Sequence, residues 1–170
     1  MTVVAILLLL RRPLLGLIPL LRKLKWKELE LEFEQKLIEL KAGAVQALPA
    51  AGEAAPQPVV PPPAASRLIQ MAELSPRAAI MEAWIAVERA AANAISRRLP
   101  EGNVAWSDSQ MGQMLATHNI LNDQQLRIYN ELRQLRNKAA HHDDFPIEAE
   151  RAADYVRLAE ELSSYLDRKA

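Results

Sequence analysis

A stretch rich in proline and alanine, residues 43–65, divides this chain into two parts of different character. It holds six of the chain's 11 prolines, a single charged residue (Glu53) and no aromatic residue. Such a segment has too little apolar surface to offset the cost of ordering its backbone, and it favours polyproline II conformations. We therefore predict a disordered linker at 43–65, with the folded domain built from residues 66–170.

The segment before residue 28 combines apolar runs with positive charge. Residues 1–10 and 13–21 are almost wholly apolar, Arg11 and Arg12 separate them, and further basic residues follow. Residues 1–27 carry six cations and no acid, so their net charge is +6 and that of the remaining chain is −6. We predict that residues 1–27 form a membrane anchor with a basic flank and contact membrane lipid.

The mode of membrane contact has several alternatives. A spanning helix needs about 20 apolar residues, and over residues 3–21 it would bury two arginines at about 2.5 kcal/mol each. Alternatively, residues 1–10 enter the bilayer, the arginines reach the headgroups and Trp26 lies at the interface. A third possibility is a misplaced gene start that removes the first half of a spanning helix.

A signal peptide is disfavoured, because no basic residue precedes the apolar run. A helix buried in a soluble core would leave the six cations unexplained. Cations after an apolar run place the remaining chain in the cytoplasm.

Residues 28–42 form a charged, amphipathic segment with two competing periodicities. Glu28 to Glu34 alternate between glutamate and apolar residues, which is typical of a strand. A helical seam spaced 3, 4, 4 and 3 residues apart runs through the same region: Trp26, Leu29, Phe33, Leu37 and Leu40. The residue types favour a helix from Glu34 onward. Such a helix could pair two copies of the chain or serve as a short stalk.

The C-terminal part has the pattern of a helical bundle. Ser75-Pro76 is a typical helix start, and Pro100 ends that helix. A short helix follows Asp108, a third runs from Asn122 or Asp123 to about Ala140, and Pro146 starts the last. Their predicted core positions include Ile80, Trp84, Val87, Ala91 and Ile95, then Met111, Met114 and Leu115, then Ile128, Leu132, Leu135 and Ala139, then Val156, Ala159, Leu162 and Leu166. The sequence predicts an all-α fold with a four-helix bundle of up-and-down type.

Composition excludes several classes of site. The chain has no cysteine, so it has no disulfide, thiolate metal site or cysteine nucleophile. It has three histidines and no glycine-rich phosphate loop, so we expect neither a metal nor a cofactor. An acidic C-terminal part is also unsuited to tight, nonspecific binding of nucleic acid.

One motif suggests chemistry. The predicted third helix ends in Leu135-Arg136-Asn137-Lys138-Ala139-Ala140-His141. Arginine followed by a polar residue and, a few positions later, by histidine at the end of the third long helix resembles the HEPN superfamily (higher eukaryote and prokaryote nucleotide-binding domains). The segments Leu24-Lys25-Trp26-Lys27 and Glu30-Leu31-Glu32-Phe33 are also similar to bacterial families that join a membrane anchor, a loose linker and a HEPN-like domain. That resemblance implies a bacterial inner-membrane location.

The resemblance implies a metal-independent endoribonuclease of the toxin or defence type, or a protein that binds RNA or nucleotide. In such an enzyme the ribose 2′-hydroxyl attacks the adjacent phosphorus. Arg136 would stabilise the phosphorane, His141 would transfer the proton and Asn137 would orient the ring or the phosphate. Lys138 and His142 would contact the substrate. The family builds one site from two such motifs, so the resemblance implies a homodimer.

The same residues also fit an ordinary helix end. Lys138 and His141 in a last turn interact favourably with the helix dipole, and Asp143 and Asp144 could partner the histidines. Arg136 could then pair with Glu82 or Glu88 on the first helix of the domain. On this interpretation the protein is a non-catalytic module, held at the membrane, that binds a protein partner through its helices.

Overall fold

The computed structural model describes residues 28, 31–48, 63–99, 107–141 and 146–169. All regular structure in these ranges is helical, and it comprises α1 (31–47), α2 (Pro63–Leu74), α3 (Pro76–Arg98), α4 (Asp108–Thr117), α5 (Asp123–His141) and α6 (Ala149–Lys169). The predicted all-α class is therefore confirmed. The four predicted helices correspond to α3–α6, and α1 and α2 add two helices to the four-helix prediction. The predicted anchor, residues 1–27, lies outside the described residues.

Helices α3 and α6 form the centre of the fold, and α2 lies beside both. Pro76 stands in the first turn of α3, where its missing N–H is not needed. The buried face of α3 is rich in small residues: Ala79, Ala83, Ala90, Ala91 and Ala94. Alanines allow two helix backbones to approach closely. The predicted core residue Trp84 is 1% exposed, so the predicted face of α3 is confirmed.

Side-chain capping fixes where α4 and α5 begin. Ser107 and Gln110 form a reciprocal capping box at the start of α4. Asn122 and Gln125 do the same for α5, because each side chain accepts a hydrogen bond from the other residue's backbone N–H, at 2.9 and 3.0 Å. The buried Gln125 also donates from Nε2 to the carbonyl of Ala47 at 2.8 Å. The start of α5 is thereby joined to the end of α1.

Helix α1 belongs to the core. Phe33, Leu37 and Leu40 of the predicted helical seam are 2%, 1% and 7% exposed, and they join the same hydrophobic cluster as α3, α5 and α6. Within the described ranges, four ion pairs connect α1 to α5 and α6: Glu32–Lys138, Glu34–Arg151, Lys36–Glu131 and Lys41–Asp154. The described part of the seam therefore packs against its own chain, and over these residues it is neither a stalk nor a face that pairs two copies. Trp26 and Leu29 lie outside the described residues.

Both ends of the predicted linker, residues 43–65, are helical in the structure. Residues 43–47 continue α1, and α2 begins at Pro63. Ala44, Ala47 and Leu48 extend the buried seam by another turn, which is why the helix continues past residue 42. Residues 49–62 of the predicted linker lie outside the described residues. Among the described helices, none is both long and apolar enough to cross a membrane.

Candidate functional site

The last two turns of α5 carry the motif that the sequence singled out. Arg136, Asn137 and Lys138 are partly buried, and His141 is exposed as the last residue of the helix. His142, the second predicted substrate contact, lies outside the described residues. The contacts of each side chain determine whether it can bind a substrate or transfer a proton.

Arg136 faces α3. Its Nη2 atom donates to Oε1 of Glu88 at 3.0 Å, and its Nη1 atom donates to Oδ1 of Asn137 at 2.9 Å. The guanidinium carbon lies 5.6 Å from the centroid of the Trp84 ring, within the range of a cation–π interaction. The pairing of Arg136 with Glu88, one of the two acids that the sequence suggested, is therefore present.

Glu88 joins the arginine to the core. The same Oε1 atom accepts a hydrogen bond from the indole Nε1 of Trp84 at 2.7 Å. The Trp84 ring in turn lies 5.3 Å from the ring of Tyr129, tilted by 46°. We call Trp84, Glu88, Arg136 and Asn137 the Arg136 cluster. Its one positive and one negative charge compensate each other, as partly buried charges must.

Tyr155 on α6 lies near this cluster. Its hydroxyl donates to the carbonyl oxygen of Leu132 at 3.1 Å. Burial raises the pKa of the phenol well above its usual value of 10.0, and the charge of Glu88 raises it further, against the lowering effect of Arg136. Tyr155 therefore remains a neutral hydrogen-bond donor at physiological pH. Its role here is to join α6 to α5.

Lys138, predicted to bind substrate, is engaged with α1. Its Nζ atom lies 2.6 Å from Oε1 of Glu32, and the two side chains are 24% and 49% exposed. This pair belongs to the set of ion pairs that attaches α1 to the bundle. A substrate phosphate would have to compete with Glu32 for the lysine.

Helix geometry separates Arg136 from His141. An α-helix turns about 100° per residue, so five residues place the two side chains about 140° apart around α5. Arg136 faces α3, while His141 is exposed to solvent. Asn137, four residues before His141, lies within about 40° of it. Asn137 therefore lies on the same side of α5 as His141, yet its Oδ1 accepts a hydrogen bond from Arg136, so the side chain is engaged with the arginine.

A groove between α1 and α5 was not foreseen from the sequence. Its volume is about 320 Å³, and it is lined by Lys36, Glu39, Leu40, Gly43, Gln124, Arg127, Ile128 and Glu131. A Cβ atom at Gly43 would meet nothing within 4 Å, so that side of the groove is open. Both signs of charge are present, and Lys36 is bound to Glu131 at 2.8 Å. No group of three or more histidine, aspartate or glutamate side chains in the described ranges could hold a metal ion.

Comparisons with protein families, with characterised proteins and with solved structures give no match to this chain.

Proposed function

We propose that this chain is a non-catalytic helical module that binds a protein partner, with the arginine motif of α5 serving the structure of the bundle. The observation that supports the structural role of the motif is the engagement of Arg136 inside its own chain, and the exposed apolar side chains Ile38 and Val45 of α1 offer a surface for a partner. The Arg136 guanidinium is hydrogen-bonded to Glu88 and lies over Trp84, with the side chain only 17% exposed.

The energetics of that contact support the proposal. To bind a phosphate through the same N–H groups, Arg136 would have to leave Glu88 in a site where the carboxylate is 26% exposed. Separating a buried or partly buried ion pair costs up to about 3–5 kcal/mol, because the remaining charge loses its compensation. A catalytic arginine should instead present its donors to the substrate in advance.

A second candidate function is the metal-independent endoribonuclease implied by the HEPN resemblance. The exposure of His141 at the end of α5 favours it, since a proton-transferring group must be accessible to substrate. On this candidate a homodimer binds RNA or nucleotide and joins His141 of one chain to residues of the other. This candidate includes the HEPN assignment, an RNA partner and a location at the bacterial inner membrane.

A nuclease assay with two histidine variants separates the candidates. Full-length protein is incubated with varied single-stranded RNAs in the presence of a chelator, alongside His141→Ala. His118→Ala is the matched control, since His118 also stands at a helix end, at the C-terminus of α4. We expect no cleavage by any of the three proteins, and we expect His141→Ala to lower the free energy of unfolding by about 0.3–1 kcal/mol, because the interaction with the helix dipole is lost.

The contrary outcome is equally specific. Cleavage by the wild type that His141→Ala abolishes and His118→Ala retains would overturn the non-catalytic proposal in favour of the nuclease.

A further inference from the structure

Helix α1 has a second apolar stripe, on the side opposite its buried seam. Leu31, Ile38 and Val45 repeat every seven residues and are 49%, 56% and 81% exposed. Gln35 and Ala42 lie between them and are exposed as well. These five residues, which we call the outer stripe, contain no charged side chain.

The outer stripe is unusual within this molecule. Of the five large hydrophobic side chains that are exposed among the described residues, three belong to it, and the other two, Leu74 and Ile85, stand on α2 and α3. Spacing alternately by four and three residues along a helix is the pattern of a coiled-coil seam. Such a seam fits a partner helix that has the same spacing.

A second copy of α1 supplies that partner. The charges beside the stripe favour an antiparallel arrangement, because Glu34 and Lys41 lie on one flank, seven residues apart. Antiparallel pairing brings Glu34 beside Lys41 of the second copy, and the two-fold axis repeats the contact. Parallel pairing would bring Glu34 beside Glu39, which is repulsive.

On the other flank, the antiparallel arrangement sets one repulsive contact against this attraction. It brings Glu32 near Glu39 of the second copy, but Glu32 already pairs with Lys138 in its own chain. Glu34 and Lys41 also have partners in their own chain, yet their side chains are 34% and 52% exposed and can accept another contact.

We propose that the outer stripe of α1 is a homodimer face that packs antiparallel against the same stripe of a second copy. This proposal deepens the interaction function and rests on it, with a second copy of this chain as the partner. The contact spans about 21 Å of helix, which places it among small and weak interfaces. Its test must therefore capture a weak complex.

Cysteine cross-linking of the full-length protein provides that test. The natural chain has no cysteine, so an introduced thiol is the only one present. Ile38→Cys lies near the proposed two-fold axis and should yield a covalent dimer with a short bifunctional thiol reagent. Ile85→Cys is the matched control, because Ile85 is an isoleucine of similar exposure, 51%, on α3. We expect on the order of tenfold more dimer from the first variant, as for a specific interface against random collision.

Mixing two variants tests the orientation. Chains carrying Leu31→Cys and chains carrying Val45→Cys should cross-link to each other, whereas Leu31→Cys alone should not. The reverse result would establish a parallel pair and contradict the proposal. Ile38→Glu should weaken self-association measured by analytical ultracentrifugation on the order of 100-fold, because each dimer buries two isoleucines.

Three outcomes would overturn the proposal and also report on the interaction function. A dimer that survives Ile38→Glu and gives no Ile38→Cys cross-link has its interface elsewhere, so the interaction function stands without this face. A monomer at every concentration leaves the interaction function in need of a different partner. If the protein is a monomer and the thiol of Ile38→Cys reacts more slowly with a thiol reagent than that of Ile85→Cys, the stripe is covered by lipid or by the chain's own N-terminal segment.

Discussion

The contact between Arg136 and Glu88 offers the sharpest test of the structural role assigned to the motif. The perturbation is Arg136→Ala, which removes the charge and the hydrogen bond that Arg136 gives to the Glu88 carboxylate, while the bond from the Trp84 indole remains. If the arginine holds α5 against α3, the free energy of unfolding should fall. If Arg136 were instead a catalytic residue presented to solvent, its replacement should lower the free energy of unfolding little or not at all.

The exposed fractions of the Arg136 and Glu88 side chains determine how large a loss of stability we expect. Surface ion pairs contribute about 0–1 kcal/mol, and breaking a fully buried pair costs about 3–5 kcal/mol. The two side chains are 17% and 26% exposed, between these limits. We therefore expect Arg136→Ala to lower the free energy of unfolding by about 2 kcal/mol. Glu88→Gln, which keeps the size and removes the charge, should have an effect of similar size.

Urea denaturation followed by far-ultraviolet circular dichroism measures these differences. A double-mutant cycle of Arg136→Ala and Glu88→Ala should give a coupling energy of about 1–2 kcal/mol. Lys138→Ala is the matched control, since it removes a cation two residues away whose partner, Glu32, is 49% exposed. That variant should lose at most about 1 kcal/mol. A coupling energy near zero, with equal effects of Arg136→Ala and Lys138→Ala, would refute the structural role.

Three further predictions concern the core, the pH dependence and the N-terminal segment. Leu37→Ala should lower the free energy of unfolding by about 2–5 kcal/mol, since Leu37 is 1% exposed. Ile85→Ala, at a residue that is 51% exposed, should lower it by under about 1 kcal/mol, and equal effects in thermal unfolding would show that α1 is not a core helix. The free energy of unfolding should fall as the pH rises above 10.0, because the unfolded chain loses the Tyr155 proton while burial keeps the folded pKa higher. The free energy of unfolding of Tyr155→Phe should fall less steeply than that of the wild type between about pH 9 and about pH 11. Parallel pH profiles of the two proteins would contradict this prediction. The full-length protein should sediment with membranes and require detergent, and deletion of residues 1–27 should abolish this; full-length protein that stays in the supernatant would show that the anchor prediction is wrong.

The sequence by itself determined the helical class and the faces of the C-terminal helices. Alanine and leucine favour helices, and periodic apolar residues identified Trp84, Leu132 and Leu162 as core, where the structure buries all three. Start signals such as Ser75-Pro76 are local, since they depend on a few neighbouring backbone groups. Local signals of this kind are readable without knowing the tertiary fold.

The role of α1 was decided by the tertiary structure. Its sequence carries two apolar stripes, and periodicity alone does not say which one a bundle will cover. Burial of Phe33 and Leu37 is selected by the shape of α5 and α6 and by ion pairs such as Lys36–Glu131, which connect residues far apart in the sequence. The exposed stripe at Ile38 is a consequence of that choice.

For the motif of α5 as well, the sequence determined one part and the tertiary structure the other. The sequence identified Arg136, Asn137 and His141 and offered Glu88 as one possible partner of the arginine. Only the packing of α5 on α3 brings Arg136 to Glu88, 48 residues earlier in the chain, and to Trp84, while His141 remains exposed. A helix sequence fixes the angle between two side chains, but the neighbouring helix determines which of them is buried and paired.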